Sequence, residues 1–159
     1  MSSVSTDAEL RAWKSFIRTQ RLLFKRLDAE LDEEHRLSLP EYEVLLFLHE
    51  SPEGGLRMGD LARLSLLSPS GVTRLVERLE ARGLVERCTA TGDARAVMAR
   101  LTPAGADRWR EAGRTHLRGI REHFLSRLDA EERDRLTALL EKVAGESPAD
   151  PFADLGRGD

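Results

Sequence analysis

The sequence predicts a mainly α-helical chain with a small β-wing, on three observations. Residues 69–82 carry apolar side chains at helical spacing directly after a Ser-Pro start. A two-stranded pattern with a polar, glycine-containing tip follows at once, over 84–101. Long amphipathic stretches flank this block on both sides. Helix, turn, helix and hairpin in that order make a winged helix-turn-helix, here with N- and C-terminal helices suited to dimerisation.

The first helix is expected over about Asp7 to Glu33. Leu10, Trp13, Ile17, Gln20, Phe24, Leu27 and Leu31 recur at steps of three and four, a narrow seam that predicts packing against another long helix, often from a second copy. A second helix opens on the capping box Ser38-Leu39-Pro40-Glu41 and ends near Glu50, ahead of the turn Ser51-Pro52-Glu53-Gly54-Gly55. Leu56-Arg57 fits a short strand beside the wing, and Met58 to Leu64 fits a third helix. In the fourth helix Pro69 sits at the first position and Val72, Leu75, Val76 and Leu79 share one face; Gly83 is its left-handed cap. Leu84 to Arg87 and Ala96 to Leu101 are the expected hairpin strands. A fifth helix runs from Thr102-Pro103 to about Arg127, and the capping box Asp129-Ala130-Glu131-Glu132 opens a last helix with Leu136, Leu139, Leu140 and Val143. The expected division is a helical dimerisation region over 7–34 and 103–144, a winged helix-turn-helix over 38–102, and a tail, 145–159, too poor in apolar residues to fold alone.

Composition narrows the function classes. A chain of 159 residues can bury a core without disulfides or a structural metal, and its one cysteine, Cys88, excludes an intrachain disulfide and fits a reducing compartment. Residues 1–7 have neither a charged nor an apolar signal region, and the longest aliphatic-aromatic run, Val44 to Leu48, is too short to span a bilayer, so a cytoplasmic protein with no membrane partner is expected. The net charge of -3 is unevenly spread. Eight arginines against five acids lie between Arg57 and Arg100, whereas nine acids against four bases follow from Asp129. That local excess predicts a nucleic-acid face with salt-dependent affinity.

The strings Ser68-Pro69-Ser70-Gly71-Val72-Thr73-Arg74-Leu75-Val76, Leu79 to Arg87 and Leu101-Thr102-Pro103-Ala104-Gly105, with the wing run Asp93-Ala94-Arg95-Ala96-Val97-Met98-Ala99-Arg100-Leu101-Thr102, resemble MarR-family transcriptional regulators over roughly residues 8 to 144. Ala99 replaces the usual valine, and Ala94 stands where many members carry a second wing arginine. The resemblance implies a homodimer with interlocked terminal helices. It also implies double-stranded operator DNA of pseudo-palindromic sequence as the partner, and repression relieved by a small, often aromatic or phenolic, effector. Two recognition helices in such a dimer stand about 34 Å apart.

On this frame Arg74 is the expected base reader, since an arginine on the outward face can pair with guanine O6 and N7. Ser68, Ser70 and Thr73 can meet phosphates or base edges, and Arg78 the DNA backbone. Glu77 is expected near a cytosine edge or in an intramolecular pair. Arg95 is the wing residue for a narrow minor groove, and Asp93 braces the tip through Arg95 or Arg87, or serves as a turn residue. Trp13, Phe16 and Trp109 lie on helices that can frame a ligand cleft, with core or dimer seam as the alternative. Cys88 reads as a small strand residue. The four histidines read as solvent or interface groups, because no HxxxH pair or dense cluster accompanies His116, His123 and Glu122; no metal or cofactor is expected. No nucleophile elbow, phosphate loop or zinc-protease motif occurs, so catalysis is not expected. The alternatives are a winged-helix protein-interaction module, and a metal-responsive regulator whose zinc-dependent DNA affinity would be lost in His116→Ala.

Overall fold

The computed structural model describes residues 7–51, 54–90 and 93–145, with side chains over 9–51, 54–89 and 96–145. The elements come in the expected order: α1 (Asp7–His35), α2 (Leu39–Glu50), β1 (Gly55–Arg57), α3 (Met58–Ser65), α4 (Pro69–Ala81), β2 (Val85–Ala90), β3 (Asp93–Leu101), α5 (Pro103–His123) and α6 (Ala130–Ala144). The expected tail lies outside the described residues but for Gly145. No helix among the described residues is long and apolar enough to cross a membrane.

Local signals account for most boundaries. Ser38 and Glu41 form both halves of the predicted capping box, as do Asp129 and Glu132. Gly83, at φ 71°, closes α4: its amide bonds to Glu80 and that of Leu84 to Leu79, at 2.9 and 3.0 Å. Tertiary contacts move other boundaries. α1 runs two residues beyond its expected end because its last carbonyl, of His35, accepts from Arg108 at 2.7 Å and Arg82 at 3.4 Å, while the His35 ring meets the Thr115 hydroxyl at 2.8 Å. α5 stops four residues early: Phe124 leaves helical backbone, and a single 3-10 turn over Leu125–Arg127 leads to α6. Both wing strands reach further toward the tip than their residue patterns indicate, because β2 and β3 keep pairing with each other through Thr89–Val97 and Ala90–Asp93. The sheet order is β1-β3-β2, with Leu56 opposite Ala99 and Ala99 opposite Arg87.

The core is one cluster. Val72, Leu75, Val76 and Leu79, the face predicted for α4, pack with Val44, Leu45 and Leu48 of α2, Leu61 of α3, and Leu31, Leu37, Val85 and Ala99. The short alanine at 99 is fully buried, where a valine would fill more space.

The α1 seam splits in two. Leu27 and Leu31 are buried, and α1 packs against α5, but Leu10, Phe16 and Phe24 are exposed and Trp13 is 60% exposed. On α6 Leu139 and Leu140 are exposed and Val143 is 85% exposed.

His116 corrects the expectation of solvent or interface histidines. It is buried on the inner face of α5, its ring centroid 4.7 Å from that of Tyr42, with Nδ1 unpartnered. Burial holds its pKa down to about 4, against a weaker upward pull from Glu30. The unfolded chain takes up this proton near pH 6.5 and the folded chain only near pH 4, so stability falls as pH drops through that window. Urea denaturation at pH 7 and pH 5 should therefore show a stability loss smaller by roughly 2 kcal/mol in His116→Phe than in the unsubstituted chain. Equal losses would show that His116 does not titrate in this way.

Candidate nucleic-acid interface

The helix-turn-helix presents α4 outward because its apolar face is consumed by the core. Ser68 is the N-cap: its hydroxyl accepts from the Gly71 amide at 3.1 Å and lies 3.2 Å from that of Ser70. Thr73 donates its hydroxyl proton to the Pro69 carbonyl at 2.9 Å, which leaves an acceptor and a methyl group to meet DNA. Arg74 is exposed and makes no hydrogen bond or ion pair among the described residues. Ser68, Ser70, Thr73 and Arg74 thus lie together along one exposed edge from the helix N-terminus.

Arg78, expected at the DNA backbone, is exposed on the same helix but is held on one edge by a partner within the chain. Its Nε donates to Glu41 Oε1 at 3.0 Å, across from α2. Arg82, one turn on, comes within 3.9 Å of Glu41 Oε2. Glu77 adopts the intramolecular alternative, 3.8 Å from Arg87. Arg87 on β2 also holds Glu80, by a 2.7 Å ion pair, a 2.9 Å bond from Nε and a 3.2 Å bond from its own amide. The hydrogen bond from Arg87 keeps the Glu80 carboxyl below the usual carboxylate range and raises the guanidinium in turn. These groups are open to water, so they pin the wing to α4 more than they stabilise the fold. Much of the positive charge counted from the sequence is thereby matched within the chain.

Asp93 and Arg95 belong to β3, with Asp93 opposite Ala90 across the strand pair, and their side chains lie outside the described residues. Arg87, one of the two partners expected for Asp93, is occupied by Glu80 and Glu77. An open cleft of about 500 Å³ runs between α3, α4 and the wing, lined by Arg57, Thr73, Arg87 and Val97.

The three expected ligand residues do not converge within one chain. Trp13 and Phe16 lie side by side, centroids 6.2 Å apart, and Trp13 lines a shallow, mostly apolar groove with Ile17 and Leu22, rimmed by Lys14, Arg18 and Arg21. Trp109 stacks on His49 at 3.7 Å and packs against the core. Since the end of α1 meets Thr115 on α5, Trp13 lies ~30 Å of helix away from that level. The remaining histidines have protein partners or stacking neighbours: His35 meets Thr115, and His123 pairs with Glu30. No group of three His, Cys, Asp or Glu suited to a metal ion occurs among the described residues. Cys88 is a half-buried strand residue opposite Met98.

The residue missed by sequence reasoning is Glu41, which reads as half of a capping box. Its partner on α4 is 37 positions away, and no local pattern signals that contact.

Residues 37–96 match the profile of the MarR family. The HTH-type transcriptional repressor Mb2911 of Mycobacterium bovis is 30% identical over 69% of this chain and 77% of its own length. Among solved structures, the MarR family transcriptional regulator AbsC from Streptomyces coelicolor is 33% identical with a TM-score of 0.81, covering 90% of this chain and 96% of its own. Sco3205, a MarR family transcriptional regulator from the same organism crystallised in complex with DNA, is 30% identical with a TM-score of 0.83, covering 94% and 97%.

Proposed function

The chain belongs to the MarR family of transcriptional regulators, and from that premise we propose that it is a homodimeric, sequence-specific DNA-binding repressor of the cytoplasm. The observation that carries the DNA reading is the unpaired Arg74 on the outward edge of α4, beside Ser68, Ser70 and Thr73. Arg74 reads a base in the major groove, the serines and Thr73 fix the helix on phosphates and base edges, and Arg95 on the wing enters the minor groove with Asp93 bracing the tip. The relative crystallised with DNA, similar along nearly the whole chain, supports the same reading.

The dimer is supported by two uncovered apolar faces, Leu10, Trp13, Phe16 and Phe24 on α1 and Leu139, Leu140 and Val143 on α6. The three aromatic rings are each about half exposed and sit on one helix with Leu10, an apolar patch of the kind that marks an interaction surface. Residues 7–34 and 103–144 are the dimerisation region and 38–102 the DNA-binding domain in this proposal. The double variant Leu140→Asp, Val143→Asp should raise the dimer dissociation constant at least about tenfold, read by sedimentation velocity, since it sets two charges in an apolar contact. An unchanged dimer would remove α6 from the interface. Release of DNA by a small aromatic or phenolic effector rests on the family resemblance, with Trp13, Phe16 and Trp109 as its candidate contacts.

The test is selection of bound fragments from a genomic DNA pool at two salt concentrations. A pseudo-palindrome with half-sites one helical turn apart, held less tightly at higher salt, is the expected result. No enriched sequence and little salt dependence would overturn it and turn attention to protein partners.

A further inference from the structure

We propose that Glu41 is a positioning residue for DNA binding, whose buried carboxylate holds the Arg78 guanidinium by its Nε edge so that its terminal amino groups face an operator phosphate. This rests on the DNA-binding reading above and extends it to a residue on α2 that touches no DNA.

The Glu41 side chain is only 8% exposed, unusual for a capping glutamate at the third position of a helix. Oε2 accepts the Ser38 amide at 2.9 Å and the Ser38 hydroxyl at 3.1 Å, and Oε1 accepts Arg78 Nε at 3.0 Å. Capping needs one of these oxygens and works with glutamine as well as glutamate. Desolvating a full negative charge is costly unless it is matched, and here the match is Arg78, with Arg82 at 3.9 Å. Two arginines against one carboxylate leave this cluster with net positive charge, so it still attracts a phosphate.

The geometry assigns the guanidinium's two sides to two tasks. Arginine presents five N–H donors in a rigid fork. The Nε–H is taken by Glu41, while the side chain stays 59% exposed and the four terminal N–H groups make no hydrogen bond among the described residues. Arg78 lies one helical turn beyond Arg74, so a phosphate held there flanks the base that Arg74 reads. An arginine already held on one edge loses less side-chain freedom on meeting DNA than a mobile one does.

The experiment is a double-mutant cycle on the affinity for the duplex enriched by the selection above, with thermal midpoints recorded in parallel. Glu41→Gln keeps a capping oxygen but cannot serve both Ser38 and Arg78 as an acceptor. It should weaken binding about fivefold, and Arg78→Ala about tenfold with a shallower salt slope. Glu41→Gln added to Arg78→Ala should change affinity less than twofold, because Glu41 acts through Arg78. Ser38→Ala should lower the thermal midpoint yet leave affinity within twofold, since it removes a cap and spares the Glu41–Arg78 bond. If Glu41→Gln does not fold, Arg78→Lys takes its place: it keeps the charge but lacks the Nε edge that Glu41 holds, so it should recover only part of the affinity lost in Arg78→Ala. Additive losses in the cycle, an effect of Ser38→Ala on affinity equal to that of Glu41→Gln, or full affinity in Arg78→Lys would each overturn the proposal while leaving the DNA-binding reading intact. An unsubstituted protein that enriches no duplex would overturn the DNA-binding reading first, and the proposal with it.

Discussion

Arg74→Ala is expected to weaken binding to the selected operator at least about 30-fold and to relax base preference at one position in each half-site. A bidentate arginine–guanine pair contributes ~1 to 3 kcal/mol of discrimination, and a dimer makes the contact twice, so ~2 to 6 kcal/mol is at stake. The effect should be undiluted because Arg74 has no partner within the chain that would take up the lost contact. Arg74→Lys separates charge from geometry: it keeps the phosphate attraction but not the planar fork, so it should recover part of the affinity and little of the base preference. Titrations against operators substituted one base pair at a time measure both. If Arg74→Ala keeps the same base preference at every position, Arg74 is not the reader. Arg95→Ala, by contrast, should weaken binding while leaving major-groove preference in place.

Gly105→Ala is expected to destabilise the fold by about 3 kcal/mol or more, lowering the thermal midpoint by about 10 °C for a chain of this size. A Cβ at this position would lie 1.9 Å from the Leu84 carbonyl oxygen and 2.9 Å from Leu101 Cδ1. The Leu84 oxygen cannot step aside cheaply, because it accepts the Thr102 amide at 3.1 Å where the wing hands over to α5. The Thr102 hydroxyl adds a 2.7 Å bond to the Gly83 carbonyl and caps α5 through the Gly105 amide at 3.0 Å. One methyl group therefore opposes the junction between α4, the wing and α5 at once. Gly59→Ala is the control: nothing lies within 4 Å of its Cβ, and the substitution in α3 should stabilise by roughly 0.5 to 1 kcal/mol. A Gly105→Ala midpoint within 2 °C of the unsubstituted chain would show that the α5 start can shift to relieve the contact.

The two residues differ in how they can be read. Arg74 follows from wheel geometry, since Val72, Leu75, Val76 and Leu79 claim the core and leave positions 70, 73, 74 and 77 outside. Gly105 is visible in the sequence only as part of a motif, and its reason is a backbone oxygen 21 positions away. The same division runs through the candidate site. The caps at Ser38, Ser68 and Asp129 and the turn at Gly83 were legible because each is set by groups within a few residues of one another.

By itself, then, the sequence determined the element order, the buried face of the recognition helix, the wing and the caps, because periodicity and capping are local physics. Tertiary structure alone decided which arginines are held by partners within the chain. Counting charge treats Arg74, Arg78 and Arg87 alike, yet packing brings Glu41 to Arg78 and Glu80 to Arg87 and leaves Arg74 bare. It also decided that α1's apolar seam is half covered and half open, and that His116 points inward to Tyr42. Such pairings depend on where two elements cross, and a crossing is fixed by how whole apolar faces fit together rather than by any run of neighbouring residues.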